Sequence, residues 1–319
     1  MFADIGPSRI DYLCTTILEN VEIHANSTDL QTYLCNLAVS SDTLTSLTVI
    51  GHFTSHCFTA LMPFRKLKRL LLQTMYPTET DKYMLSHELV QFLGSVCKQI
   101  SLTEVVLRTY VPSPLPSGCF SSVQHLEIQE ASSTIINILG SGSFRTVILR
   151  FTRFELISTY QDCFSALVRS SLESLESLIV HSHTEVKHDF PVMHCIEPIL
   201  SVTKLRELCI HHGNILSMAL SDGDISRMAN AWPKLRRLVL LSSTATAAGR
   251  IRSQQPTFES IRVLLRMPCL QNFSIRAENF PIEIQLPLQE HLMTTSVNYP
   301  FSLKQYLLWG STKTVKYTQ

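Results

Sequence analysis

Short apolar stretches along the chain follow one six-letter rule, with apolar residues at positions 1, 4 and 6 and mixed letters between. LTSLTV at 44–49, LKRLLL at 67–72, LTEVVL at 102–107, VQHLEI at 123–128 and FRTVIL at 144–149 obey it. So do LESLIV at 175–180, LRELCI at 205–210, LRRLVL at 235–240 and LQNFSI at 270–275. Two weaker copies, LENVEI at 18–23 and LKQYLL at 303–308, flank these nine. Successive starts lie 21 to 35 residues apart and average about 29 over the eleven copies. One match would mean little, because apolar alternation is common; nine at a steady spacing identify a structural repeat.

Positions 4 and 6 of a strand point to one face and position 5 to the other, while position 1 turns the chain in toward the same interior. A lone strand cannot cover its own apolar face, so stacked copies form a parallel sheet over a continuous core. The segments between read mostly as helices. Ile225, Met228, Ala229 and Trp232 share one helical face, Asp222 or Asp224 is placed to cap its start, and Pro233 ends it. Phe258, Ile261, Leu264 and Leu265 repeat the scheme before Pro268, and Leu85, Leu89, Phe92, Leu93 and Val96 do so without a proline. The PSPLPSG stretch at 112–118 predicts an extended connection. Trp232 reads as a core residue at a helix end. The period is that of leucine-rich repeats, so the predicted fold class is α/β: a leucine-rich-repeat solenoid with a curved parallel sheet on the concave side and helices and loops on the convex side. Residues 1–319 form a single domain of ten to eleven irregular repeats, with 1–17 as a lead-in and 309–319 as a tail.

SDGDISRMANAWPKLRRLVL at 221–240 and TFESIRVLLRMPCLQNFSI at 257–275 resemble the leucine-rich-repeat region of fungal F-box proteins. Arg9 and Tyr12 followed by LENVEI are similar to the segment just after the F-box in that family, and LKQYLLWGS at 303–311 to its late strand. The resemblance implies substrate recognition for a Skp1–cullin–F-box ubiquitin ligase. The F-box itself, a leucine-rich helical segment that opens on Leu-Pro, has no counterpart before Leu18. A Skp1-type adaptor is therefore expected as a partner only if an F-box lies outside this chain. A fragment, a truncated form and a relative working without the ligase all fit. The Asn that usually follows such a strand is also missing.

Composition narrows the function classes. With 45% apolar and 17% charged residues the chain can bury a large core. A net charge of +1 gives no electrostatic reason to expect nucleic acid or a membrane surface. Nine scattered cysteines without a C-x-x-C read as reduced, buried thiols, and no signal or long apolar span is visible. A cytoplasmic or nuclear location follows as the expectation.

In such an array positions 3, 5 and 7 face the concave surface. Position 5 runs Glu22, Thr48, Leu71, Val106, Glu127, Ile148, Ile179, Cys209, Val239, Ser274 and Leu307, and seven of these eleven are apolar. Contiguous exposed apolar surface marks interaction sites. Positions 3 and 7 add a basic column, Arg69, Arg108, Arg150, Arg237 and Arg276, suited to carboxylate-bearing or aromatic protein surfaces. His181 and His211 occupy matching positions beside Cys209. The predicted site is thus a protein client's seat on the concave face, from Arg69 and Leu71 to Arg237 and Val239. The competing expectation is that connections or the tail fold over this face.

Catalytic motifs are missing. The histidines of HSH at 181–183 and HH at 211–212 could meet across neighbouring strands, but only Glu207 lies at a matching level to help form a metal site. They read as surface histidines after strands. GSGS at 140–143 lacks the Gly-Lys-Ser/Thr ending of a phosphate loop and reads as a helix stop. No metalloprotease, hydrolase-elbow or kinase signature is present. The expectation is a non-catalytic protein-binding module with no cofactor; the alternatives are a scaffold with no ubiquitin role and, remotely, an enzyme with a loop-borne site.

Overall fold

The computed structural model describes residues 19–285 apart from 26, 41–42, 52, 54, 75–88, 90–91, 94–101, 111–119, 132–134, 152–155, 183–189, 213–217, 243–255 and 278–279. In chain order the strands are β1 (Asn20–Ala25), β2 (Ser46–Gly51), β3 (Arg69–Thr74), β4 (Glu104–Tyr110), β5 (His125–Glu130), β6 (Thr146–Phe151) and β7 (Ser177–Ser182). They continue as β8 (Phe190–Pro191), β9 (Glu207–His212), β10 (Met218–Ala219), β11 (Arg237–Ser242), β12 (Asn272–Ala277) and β13 (Phe280–Gln285). Eleven of them form one sheet in the order β1-β2-β3-β4-β5-β6-β7-β9-β11-β12-β13, while β8 and β10 pair separately. The first ten run parallel, and β13 returns antiparallel beside β12. The protein is an α/β fold built on a ten-stranded parallel sheet.

Each six-letter copy within these residues places its last four letters at a strand's start, and pairing keeps like positions level. Position 4 runs Leu47, Leu70, Val105, Leu126, Val147, Leu178, Leu208, Leu238 and Phe273 as successive partners across the sheet. These side chains, with the position 1 and position 6 residues, are at most 4% exposed and belong to one continuous core. Burying each such Leu, Ile or Phe stabilises the fold by roughly 1.5–3 kcal/mol.

The lead-in to each strand is fixed by the backbone alone. The carbonyls of Glu19, Thr45, Lys68, Thr103, Gln124, Arg145, Glu176, Arg206 and Arg236 each accept two successive N–H groups from the next unit. Position 2 therefore supplies the same doubled hydrogen bond at every joint, whatever its side chain.

Helices cover the apolar face: Ser27–Ser40, Ser55–Leu61, Ile136–Leu139, Ile157–Ser171, Val192–Ile196, Asp222–Ala231 and Phe258–Leu265, with a 3-10 turn at Glu197–Ser201. Trp232 is fully buried at the end of Asp222–Ala231, and its indole N–H donates to the Ile199 carbonyl at 3.2 Å. The GSGS stretch does stop a helix, Ile136–Leu139, and Gly142 is required there. A Cβ on Gly142 would lie 2.5 Å from the Phe144 ring and 2.8 Å from the Phe120 carbonyl oxygen.

Several local expectations need correction. The cap of Asp222–Ala231 is Ser221, not either aspartate. Its hydroxyl accepts from the Asp224 N–H, and the Asp224 carboxylate accepts from the Ser221 N–H, a reciprocal capping box. Asp222 instead reaches the next unit, accepting from the N–H and hydroxyl of Thr257 at 2.7 Å and from the Ser260 hydroxyl. Burial alone would raise the Asp222 pKa, but these bonds outweigh it and hold the carboxyl below its ordinary value. Phe258 is 41% exposed, because the apolar face of its helix is set by Ile261 and Leu264. Cys35 and Cys269 are exposed, whereas Cys57, Cys163, Cys195 and Cys209 are buried thiols as expected. Strand β13 has no counterpart in the six-letter pattern. Of the helix expected around 85–96, Leu89, Phe92 and Leu93 are helical and buried. The lead-in 1–17, PSPLPSG, LKQYLL and the tail 309–319 lie outside the described residues.

Candidate functional site on the face turned away from the helices

The face opposite the helices carries positions 3, 5 and 7. Its middle row is level across the sheet: Thr48, Leu71, Val106, Glu127, Ile148, Ile179, Cys209, Val239 and Ser274 are successive partners. The apolar run that the sequence places here is real, but it is less open than expected. Leu71, Ile148 and Ile179 are half-buried, whereas Val106, Cys209 and Val239 are 3%, 1% and 6% exposed. Those three lie outside the helix-packed core. Long side chains at positions 3 and 7 bridge neighbouring strands around them, as long polar side chains do when their stems cover apolar ground.

Those bridges change the electrostatic picture. The basic column is paired rather than free. Arg69 Nε lies 2.9 Å from Glu104 Oε1, and Arg237 donates to Glu207 Oε1 at 2.8 Å. The second Glu207 oxygen accepts from the Ser177 hydroxyl at 2.7 Å. Arg108 and Arg150 share one acid: their Nε atoms are 3.6 and 3.2 Å from the same Oε1 of Glu127. The side chain of Arg276 is outside the described residues.

Glu127 is where this arrangement concentrates. It sits in the middle row at 7% exposure, between a position 7 arginine on each neighbouring strand. The β4–β5 register shifts between Leu107 and Tyr110 by one extra residue in β4, a bulge that spans Arg108 and Thr109. Bulges re-aim side chains. Arg108 also donates to the Gln73 side-chain oxygen at 3.3 Å.

Further along, the His181 and His211 rings stack at 5.0 Å between centroids and 12° between planes, the meeting that the repeat spacing suggests. They are within strands and half-buried, not surface residues after strands. Burial, and then the nearby Arg237, lower the His211 pKa, so the ring is neutral near pH 7. Burial pushes the Cys209 thiol up to about 12; Arg237 opposes this and Glu207 adds to it. The thiol donates to Glu207 Oε1 at 3.6 Å. A protonated thiol is neither a nucleophile nor a metal ligand. Among the described residues no three His, Cys, Asp or Glu side chains are grouped to hold a metal ion, and no helix is long and apolar enough to cross a membrane.

His212 points to the other face and is 2% exposed, and burial lowers its pKa to about 4. The unfolded chain binds this proton at about pH 6.5, well above the folded chain. Stability from neutral His212 is then complete above about pH 6.5 and is lost as pH falls toward 4. Urea unfolding midpoints should drop over that window in the parent protein. A His212→Leu variant should show a smaller drop; an equal drop would place the acid sensitivity elsewhere.

The partners that sequence reading missed are Glu104, Glu127 and Glu207. Reading positions down one column hides an acid that answers from the neighbouring strand. Set beside known proteins, the chain matches no family model, and no curated protein matches it.

Proposed function

We propose that the chain is a leucine-rich-repeat-type solenoid whose sheet lines a concave surface that binds a polypeptide client. One observation carries the reading: a level row of apolar side chains, Leu71, Val106, Ile148, Ile179, Cys209 and Val239, on the sheet face that the helices leave. Apolar side chains on that face contribute nothing to the helix-packed core. Their burial by a partner gives them a use. The role is non-catalytic and needs no cofactor, since among the described residues Glu104, Glu127 and Glu207 are held by arginines instead of converging on a reacting atom. The likeness to F-box receptors supports a client-holding role in ubiquitin transfer, in the cytoplasm or nucleus. A scaffold with no ubiquitin role is the second reading, since the ion-paired apolar face would serve it equally.

Charge reversal at Arg108 and Arg150 would crowd two new carboxylates against Glu127, so the cleaner test is uncharged. A variant carrying Ile148→Gln and Ile179→Gln should keep the parent's circular dichroism, with a urea midpoint close to the parent's. Partners identified by proximity labelling with the parent should be lost. Retention of every parent partner by the folded variant would exclude this face. Co-purification of a Skp1-type adaptor assigns the receptor role; its consistent absence fits the scaffold role or a fragment severed from its F-box.

A further inference from the structure

Among the described residues of the face turned away from the helices, arginines and acids are matched one to one except at Glu127. Arg69 answers Glu104 and Arg237 answers Glu207, but Arg108 and Arg150 both lean on one oxygen of one carboxylate. Among the described residues the neighbouring polar side chains on that level, Gln73, Gln129 and His181, include no acid. One positive charge is therefore left over. The two arginine side chains are 38% and 33% exposed, whereas Glu127 is 10% exposed beneath them.

A guanidinium carries five N–H donors in a planar fork. Arg150 reaches Glu127 through Nε, and Arg108 spends Nε on Glu127 and one terminal nitrogen on Gln73. Terminal N–H pairs on both sides of β5 remain to grip a second planar acceptor. Leu71, Ile148 and Ile179 surround them as half-buried apolar ground, which strengthens any charge pairing by excluding water.

Resting on the polypeptide-binding reading above, we propose that the client presents an acidic side chain to this point, its carboxylate seated between Arg108 and Arg150 and its apolar neighbours lying on Leu71, Ile148 and Ile179. A single carboxylate fits the charge: it neutralises the surplus, and a planar two-oxygen group matches the guanidinium fork. A phosphate dianion would exceed the surplus by one charge. Nucleic acid fits poorly because its phosphodiesters come in a row, whereas the surplus is one isolated charge rather than a stripe.

The test uses the full chain and random short linear peptides displayed on phage, with enriched sequences then measured by fluorescence anisotropy. Enriched peptides should carry Asp or Glu beside aliphatic or aromatic residues, and changing that acid to its amide should weaken binding roughly tenfold. Two variants should move affinity in opposite directions. Arg150→Gln leaves Arg108 matched to Glu127, removes the surplus and should weaken the acidic peptide by a similar factor. Glu127→Gln doubles the surplus and should tighten it. Their amide-substituted counterparts should respond to neither, a pattern that general loosening of the face cannot produce. Neutral or phosphorylated peptides as the enriched class, or both variants shifting affinity the same way, would overturn the carboxylate seat while leaving the face intact. Binding insensitive to Ile148→Gln and Ile179→Gln, or no enrichment at all, would overturn both readings.

Discussion

Replacing Trp232 by Ala should destabilise the protein by about 3–5 kcal/mol, the range for deleting a fully buried aromatic side chain. Trp232 is the largest fully buried side chain among the described residues, and it joins two units rather than filling one. Its ring closes the end of the helix Asp222–Ala231, while its N–H satisfies the Ile199 carbonyl in the preceding unit. Trp232→Phe keeps most of the volume and removes one of two bonds to that carbonyl, which still accepts from the Val202 N–H at 2.9 Å, at a cost of about 0.5–1.5 kcal/mol. Urea denaturation followed by circular dichroism measures both. Hydrogen exchange should rise first in β9 and β11, the strands on either side of the joint. A Trp232→Ala loss under about 1 kcal/mol would mean that Trp232 does not hold the two units together.

The second large effect separates the two faces of the sheet at adjacent positions. Leu178 is fully buried in β7, level with Val147 on one side and Leu208 on the other. Leu178→Ala should cost about 2–5 kcal/mol, the transfer term plus the cavity that stiff neighbouring strands cannot close. Ile179 is half-buried on the opposite face, and Ile179→Ala should change stability by under about 1 kcal/mol. Unfolding midpoints of the two variants give the comparison directly. Similar losses at both positions would mean that the second face is packed as tightly as the first, leaving no surface for a client.

Most of the architecture was legible because it depends on periodic apolar positions. Leu47, Leu178 and Leu238 fall at position 4 of their copies, and the pairing places them in one level row. Trp232 was readable as a core residue because it completes a helical face just before a proline. The caps were less legible: Ser221 and Asp224 divide the capping between them, which leaves Asp222 for Thr257 and Ser260 in the next unit, a contact without a local signal. Strand β13 escaped because it returns antiparallel after β12 and does not follow the six-letter rule.

The candidate site was legible in outline and misread in charge. The residues of the face were correctly placed on one surface as far as the described residues extend. Their state was not, because pairing across strands is non-local. Arg108 was read as free, yet its acid is Glu127, on the next strand and two positions lower in the pattern, reached through a bulge that no letter announces. Val106, Cys209 and Val239 were read as exposed because alternation tells which face a residue is on, not how far its neighbours lean over it.

The doubled backbone hydrogen bond at each strand's entry has a consequence for how such a chain can change. Register is set afresh at every unit by a carbonyl that needs no particular side chain, from Glu19 to Arg236. Intervals of 21 residues and of 35 thus deliver their strands to equivalent places. Lengthening a connection adds only a slowly growing loop entropy. Insertions and deletions on the helical side are decoupled from the alignment of the opposite surface. The connections are free to diverge while the level row on the opposite face stays in line.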